Sequence, residues 1–109
     1  MKPATLRPLA EQDLVDAARH YSQAGGVKLG ERFFDAALAA LLPIERMPGL
    51  GSPRLGELCE IPGLRSWRVK RFPMQWFYFE APDRLDVVRL LGAREDIVAI
   101  LTVPPSMPR

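Results

Sequence analysis

LRSWRVKRFPMQWFYFEAPDRLDVVRLL, Leu64 to Leu91, reads as three strands and two turns in succession. In Leu64 to Arg71, Trp67 and Val69 alternate with Ser66, Arg68 and Lys70, the period-two pattern of a strand with one apolar and one basic face. Phe72-Pro73 interrupts the pattern, and Met74 to Glu80 resumes it with Trp76-Phe77-Tyr78-Phe79, apolar on both faces as in a central strand. Ala81-Pro82-Asp83-Arg84 marks a second turn, and Leu85 to Leu91 carries Arg89 among Val87, Val88, Leu90 and Leu91. Strands this close together are joined by short turns, so the sheet is antiparallel.

Upstream the period changes. Leu14, Ala17, Ala18 and Tyr21 recur at helical spacing, with Glu11 and Asp13 in the first turn, and predict a helix over about 10 to 23. Gly25-Gly26 breaks it, and Val27 to Met47 restarts the pattern through Leu29, Phe33, Ala37, Leu41 and Ile44. The pair is an αα-hairpin. Pro43 either kinks the second helix or ends it near Leu42, because it removes a hydrogen bond and crowds the carbonyl of Ala39. A loop of about fifteen residues runs from Pro48 to Pro62-Gly63. Thr5 to Leu9 alternates weakly, and because Pro8 cannot donate to a ladder a strand there is short and either lies at an edge or ends at Pro8. Asp96 to Leu101 makes a short closing helix, and the proline-rich residues from about 103 to 109 are expected to be a mobile tail. Helices and strands segregated along the chain predict an α+β fold: an N-terminal strand and an antiparallel helical hairpin packed on one face of a small antiparallel sheet, with a short C-terminal helix. The opposite face of that sheet is expected to carry Arg68 and Lys70.

A chain of 109 residues, 48% apolar and 26% charged, suits one domain with one core. No apolar run approaches the length of a bilayer span, and no apolar segment follows Met1-Lys2-Pro3, so a cytoplasmic location is expected. Cys59 is the only cysteine and has no thiol partner. The net charge of +2 does not argue for sequence-specific nucleic-acid binding, but the basic residues are unevenly placed. Residues 1 to 64 hold seven basic and eight acidic side chains, while residues 65 to 94 hold Arg65, Arg68, Lys70, Arg71, Arg84, Arg89 and Arg94 against only three acids. That excess suits an acidic partner, with a solvated face of arginines as the alternative.

Several chemistries lack their residues. No glycine-rich phosphate loop follows a strand and no His or Cys pair has metal-ligand spacing, so no cofactor and no metal are expected. His20 falls beside Asp13 and Asp16 on the polar side of its helix, and no serine has a histidine at a motif spacing. Metal-free phosphodiester cleavage needs cations for the transition state and a group to move a proton. Arg68, Lys70, Arg89 and Arg94 could supply the first and Tyr78 the second; the alternative for Tyr78 is a core residue with its hydroxyl tied to a neighbour.

From Ala10 to Leu101 the sequence resembles the RelE/ParE superfamily of bacterial toxins, and most of all its ParE branch. The resemblance rests on Asp13-Leu14 and Tyr21, Arg46-Met47-Pro48-Gly49-Leu50-Gly51-Ser52, Pro62-Gly63-Leu64-Arg65, Tyr78, Arg89-Leu90-Leu91, Arg94 and Asp96-Ile97, in that order. It implies a toxin that inhibits DNA gyrase by trapping the cleaved-DNA state, with no catalytic residues of its own. It also implies a ParD-like antitoxin whose acidic C-terminal segment lies across the toxin. Arg65, Arg68, Lys70, Arg71 and Arg89 are the expected sites for its carboxylates, with Leu14, Tyr21 and Trp67 as apolar contacts. A RelE-like ribosome-dependent endoribonuclease using Arg68, Lys70, Tyr78, Arg89 and Arg94 is the other functional reading, and a detoxified member that only binds its antitoxin is a third. The family pattern near the last strand usually reads histidine, glycine, two arginines, aspartate, isoleucine; here Gly92 stands at the histidine and Glu95 at the second arginine.

Overall fold

The computed structural model describes residues 1–102, and the expected tail lies outside them. Strand β1 (Ala4–Leu6) leads into helices α1 (Pro8–Gly25) and α2 (Val27–Arg46). A 3-10 turn (Pro48–Leu50) and a short helix α3 (Arg54–Leu58) follow, then strands β2 (Arg65–Arg68), β3 (Met74–Glu80) and β4 (Leu85–Gly92), and helix α4 (Ile97–Thr102). The fold is α+β, with the helical hairpin on a four-stranded sheet ordered β1-β4-β3-β2.

The boundaries follow from local chemistry. Helix α1 begins at Pro8, two residues before the apolar period starts, because proline at the first helical position has its φ already set and a missing N–H that costs nothing there. Gly26, at φ 97°, turns the chain between the helices in a conformation that side chains with a Cβ avoid. Pro43 neither ends nor shortens α2, which continues to Arg46 with the Met47 N–H donating to the Pro43 carbonyl at 2.9 Å. Only the last turn lies beyond it, so a single carbonyl, that of Ala39, loses its helical donor. At α4 the Asp96 carboxylate accepts from the Ala99 N–H at 3.1 Å, an N-cap.

The antiparallel reading holds for β2-β3-β4, but β1 pairs parallel to β4, Ala4 opposite Leu85. A parallel pair needs a crossover, and the hairpin α1-α2 with β2 and β3 supplies it. Between β3 and β4 the register shifts: Phe77 pairs with Arg89 and Tyr78 with Val87, leaving Val88 as the extra residue of a bulge.

The core lies between the hairpin and the sheet. Ala10, Leu14, Phe33, Ala37, Leu41 and Ile44 meet Val69, Trp76, Tyr78, Leu85, Val87 and Leu90. The Trp76 indole N–H donates to the Ala37 carbonyl at 2.8 Å, which satisfies its one polar atom in that core. The opposite face of the sheet carries Arg68 as expected, alternating with Trp67 and opposite Gln75, but it is covered where an open basic surface was expected. Leu64, Phe77 and Leu91 are buried there under Leu55 of α3, Ile61, and Ile97, Ile100 and Leu101 of α4. Phe77 and Leu91 require a cover on that side, and the segments after Pro48 and Glu95 supply it.

Candidate functional site

Strand β2 is an edge strand, and it ends at Arg68, three residues short of its expected end. Lys70 and Arg71 therefore stand in the β2–β3 turn instead of alternating along a strand. Arg71 sits at φ 73°, a left-handed conformation uncommon for a residue with a side chain. On its outer edge β2 forms a backbone bridge at Ser66, whose N–H donates to the Ser52 carbonyl at 2.9 Å and whose carbonyl accepts from the Ser52 N–H at 2.8 Å.

Beside this edge runs a groove. Its floor is Ala36, Ala39, Ala40 and Pro43 of α2 with Trp67 of β2, and Arg68, Lys70 and Arg71 stand around it. All three cations are exposed and make no ion pair among the described residues. The α2 side of the floor is apolar and made of small side chains, so a partner can approach α2 closely while its acidic groups remain within reach of three cations. Arginine at two of those three positions favours carboxylate recognition through its planar fork.

The other expected basic residues are engaged elsewhere. Arg65 donates through Nη1 to the carbonyls of Gly51 at 2.7 Å and Gly49 at 3.3 Å, tying the 3-10 turn to β2. Arg89 is paired with Asp13, Nε to Oδ2 at 2.7 Å and Nη2 to Oδ1 at 3.0 Å. The same carboxylate accepts from the Leu90 N–H at 3.0 Å, an amide of β4 beyond the reach of the short β1. The Asp13 hydrogen bonds hold the Arg89 guanidinium protonated above its ordinary range. Arg94 is exposed at the end of β4, in a cleft lined by His20 and Tyr21.

The apolar contacts divide in the same way. Trp67 is half-buried in the groove wall. Tyr21 packs against Phe33 and Phe72 at centroid distances of 4.8 and 5.0 Å, and burial raises the pKa of its hydroxyl. Leu14, 6% exposed, belongs to the core and is not available as a surface contact.

The residues of the nuclease reading are not brought together. Tyr78 is fully buried; its hydroxyl donates to the Pro48 carbonyl at 2.6 Å and accepts from the Gly51 N–H at 3.0 Å. Burial raises its pKa, and the Gly51 amide and the charge of Arg65 offset part of the rise. A phenol with both hydrogen-bonding functions in use is a strut, not a proton shuttle. Among the described residues no three His, Cys, Asp or Glu side chains are grouped to hold a metal. Cys59 is buried, and among the described residues no helix is long and apolar enough to cross a membrane.

Sequence reasoning missed the Ala36–Pro43 floor and the organising role of Asp13. Alanines at helical spacing carry no signal separating a core face from a groove floor. Asp13 in a first turn reads as a dipole partner, and only the fold brings Arg89 and Leu90 to it.

A family model described as the ParE toxin of the type II toxin–antitoxin system, parDE, matches residues 4–97. Among solved structures, the chain is similar to one described as the chromosomal ParDE TA system from P. aeruginosa. The TM-score is 0.73 at 18% identity, over 84% of this chain and 96% of that chain. No curated protein matches it.

Proposed function

The chain belongs to the family of ParE toxins of type II toxin–antitoxin systems, and we propose that a ParD-like antitoxin neutralises it by laying an acidic C-terminal segment in the groove between α2 and the β2–β3 turn. The observation that carries this reading is the set of three cations, Arg68, Lys70 and Arg71, unpaired among the described residues, around an apolar floor. An acidic amphipathic segment meets both requirements, its apolar side chains on Trp67 and the alanines and its carboxylates on the cations. Arg65 and Arg89 act on this reading by positioning, one holding the 3-10 turn and the other joining β4 to α1. Leu14 takes no direct part.

Released from that segment, the toxin acts in the cytoplasm on DNA gyrase, as a binding poison that holds the enzyme in its cleaved-DNA state. Family membership supports the target, and a poison of this kind needs only a surface complementary to one conformation of it. Two observations weigh against RNA cleavage: the Tyr78 hydroxyl is committed to Pro48 and Gly51, and the Arg89 guanidinium to Asp13.

The test mixes the purified chain with gyrase, supercoiled DNA and ATP, and in parallel with translating ribosomes. Cleaved DNA should accumulate in the first mixture and disappear on adding the antitoxin, while messenger RNA in the second stays intact. Codon-dependent cleavage of ribosome-bound messenger RNA with no effect on gyrase would reverse the choice of target. Silence in both mixtures with tight antitoxin binding would leave the antitoxin as the chain's one partner.

A further inference from the structure

Helix α2 presents two sides outside the core. One is the floor of the groove. The other is the line Glu31, Phe34, Leu38, Leu42, Arg46, spaced by three, four, four and four residues, which places all five side chains on one ridge. The three central residues are apolar yet 38, 41 and 53% exposed, and Val15 of the adjoining α1 is 46% exposed. Single exposed apolar side chains are ordinary on a protein surface; three at successive turns of one helix mark a contact surface. The ends of the ridge are charged and opposite. Glu31 and Arg46 are both exposed, and neither makes an ion pair among the described residues.

We propose that this ridge is the contact between two copies of the chain, laid antiparallel about a twofold axis through Leu38. Phe34 of each copy meets Leu42 of the other, and Glu31 of each meets Arg46 of the other. The occupant follows from the order of the residues. Read from either end of an antiparallel pair, acid, three apolar residues and base meet base, three apolar residues and acid, the self-complementarity that a twofold contact requires. Glu31 lies seven residues from Leu38 and Arg46 eight, about 10.5 and 12 Å along a helix rising 1.5 Å per residue, so the opposed charges fall within about 1.5 Å of register. A parallel pair would set Glu31 against Glu31 and Arg46 against Arg46. Helix-dipole complementarity alone also favours an acid at the start and a base at the end of α2, but it does not call for the exposed apolar residues between them. The groove floor lies on a different side of α2, so the dimer leaves Arg68, Lys70 and Arg71 accessible.

The test is the association state of the full chain, measured by sedimentation equilibrium over a wide concentration range. The native chain should be a reversible dimer. Leu38→Glu should raise the dissociation constant by about 100-fold or more, because it places an unpaired charge at the centre of an apolar contact. Glu31→Arg and Arg46→Glu should each weaken the dimer, and the two together should restore it, since the pairing is then reversed and intact. All three positions are exposed on a helix, and unchanged circular dichroism confirms that the fold persists; the charge-swap series keeps the test decisive even should Leu38→Glu unfold. A chain monomeric at every concentration, a dimer indifferent to Leu38→Glu, or charge reversals that add where they should cancel each overturns the proposal. So does loss of antitoxin binding in Leu38→Glu with a monomeric native chain, which would assign the ridge to the antitoxin.

Discussion

Tyr78 and Asp13 show how single polar side chains join segments far apart in sequence. The Tyr78 hydroxyl holds Pro48 and Gly51, some thirty residues upstream, against the sheet. Tyr78→Phe keeps the ring and leaves the buried Gly51 N–H without a partner, which should cost about 1–3 kcal/mol in urea titration and speed amide exchange at Gly51. Toxicity should survive the change wherever the fold does, whereas a nuclease depending on that hydroxyl would lose its activity outright. Arg7 and Asp86 form a second clasp, Nε to Oδ1 at 3.0 Å and Nη2 to Oδ2 at 2.7 Å. The hydrogen bonds from Arg7 hold the Asp86 carboxyl below its ordinary value of 3.8. A lowered folded-state pKa means that the clasp stabilises fully above 3.8 and is lost as pH falls through the lowered value. The Arg7 side chain is 55% exposed, so the contribution should stay under about 1 kcal/mol. The fall in urea midpoint over that acid range should therefore be slightly shallower in Asp86→Asn; a steeper fall in the variant would contradict the assignment.

Among the elements, β3 and α2 carry most of the arrangement. Strand β3 is apolar on both faces because it is covered on both, by the hairpin on one side and by α3 and α4 on the other. Phe77→Ala should cost about 3–5 kcal/mol, since Phe77 is wholly buried. Phe79 is only half-buried at the far end of that second cluster, so Phe79→Ala should cost clearly less. Equal losses in a urea titration would show that β3 is covered alike along its length. Helix α2 runs through Pro43, and Pro43→Ala would return a hydrogen bond to the Ala39 carbonyl. A proline inside a helix costs about 3 kcal/mol, partly offset by the unfolded-chain freedom it removes, so the variant should gain about 1–2 kcal/mol and unfold at a higher temperature. Pro43 also lines the groove, and the same variant should bind the antitoxin more weakly. A gain in stability without that loss would put the antitoxin elsewhere.

At the scale of the whole molecule, charge is sorted by the fold and not by the chain. Arg65, Arg68, Lys70, Arg71 and Arg89 lie within one basic segment, yet Arg65 and Arg89 are taken up by internal partners and only the other three remain around the groove. Changing Arg68 and Lys70 together to glutamate should leave stability nearly unchanged, remove most antitoxin affinity and flatten its dependence on salt. An affinity unmoved by the double change would take the contact away from the groove. The α+β class, the helical hairpin, the three antiparallel strands and the centrality of β3 are legible in the sequence, because they depend on the period of apolar residues and on glycine and proline, which are local. Short pieces escaped it: α3 spans five residues, too few for a period, and the parallel pairing of β1 with β4 depends on a strand some eighty residues away. What covers the second face of the sheet, where the arginines end and that Tyr78 is a strut follow from tertiary contacts alone. A side chain's role at a surface is set by the partners the fold brings within about 3 Å, and an alternating pattern of apolar and basic residues holds no record of distances across the chain.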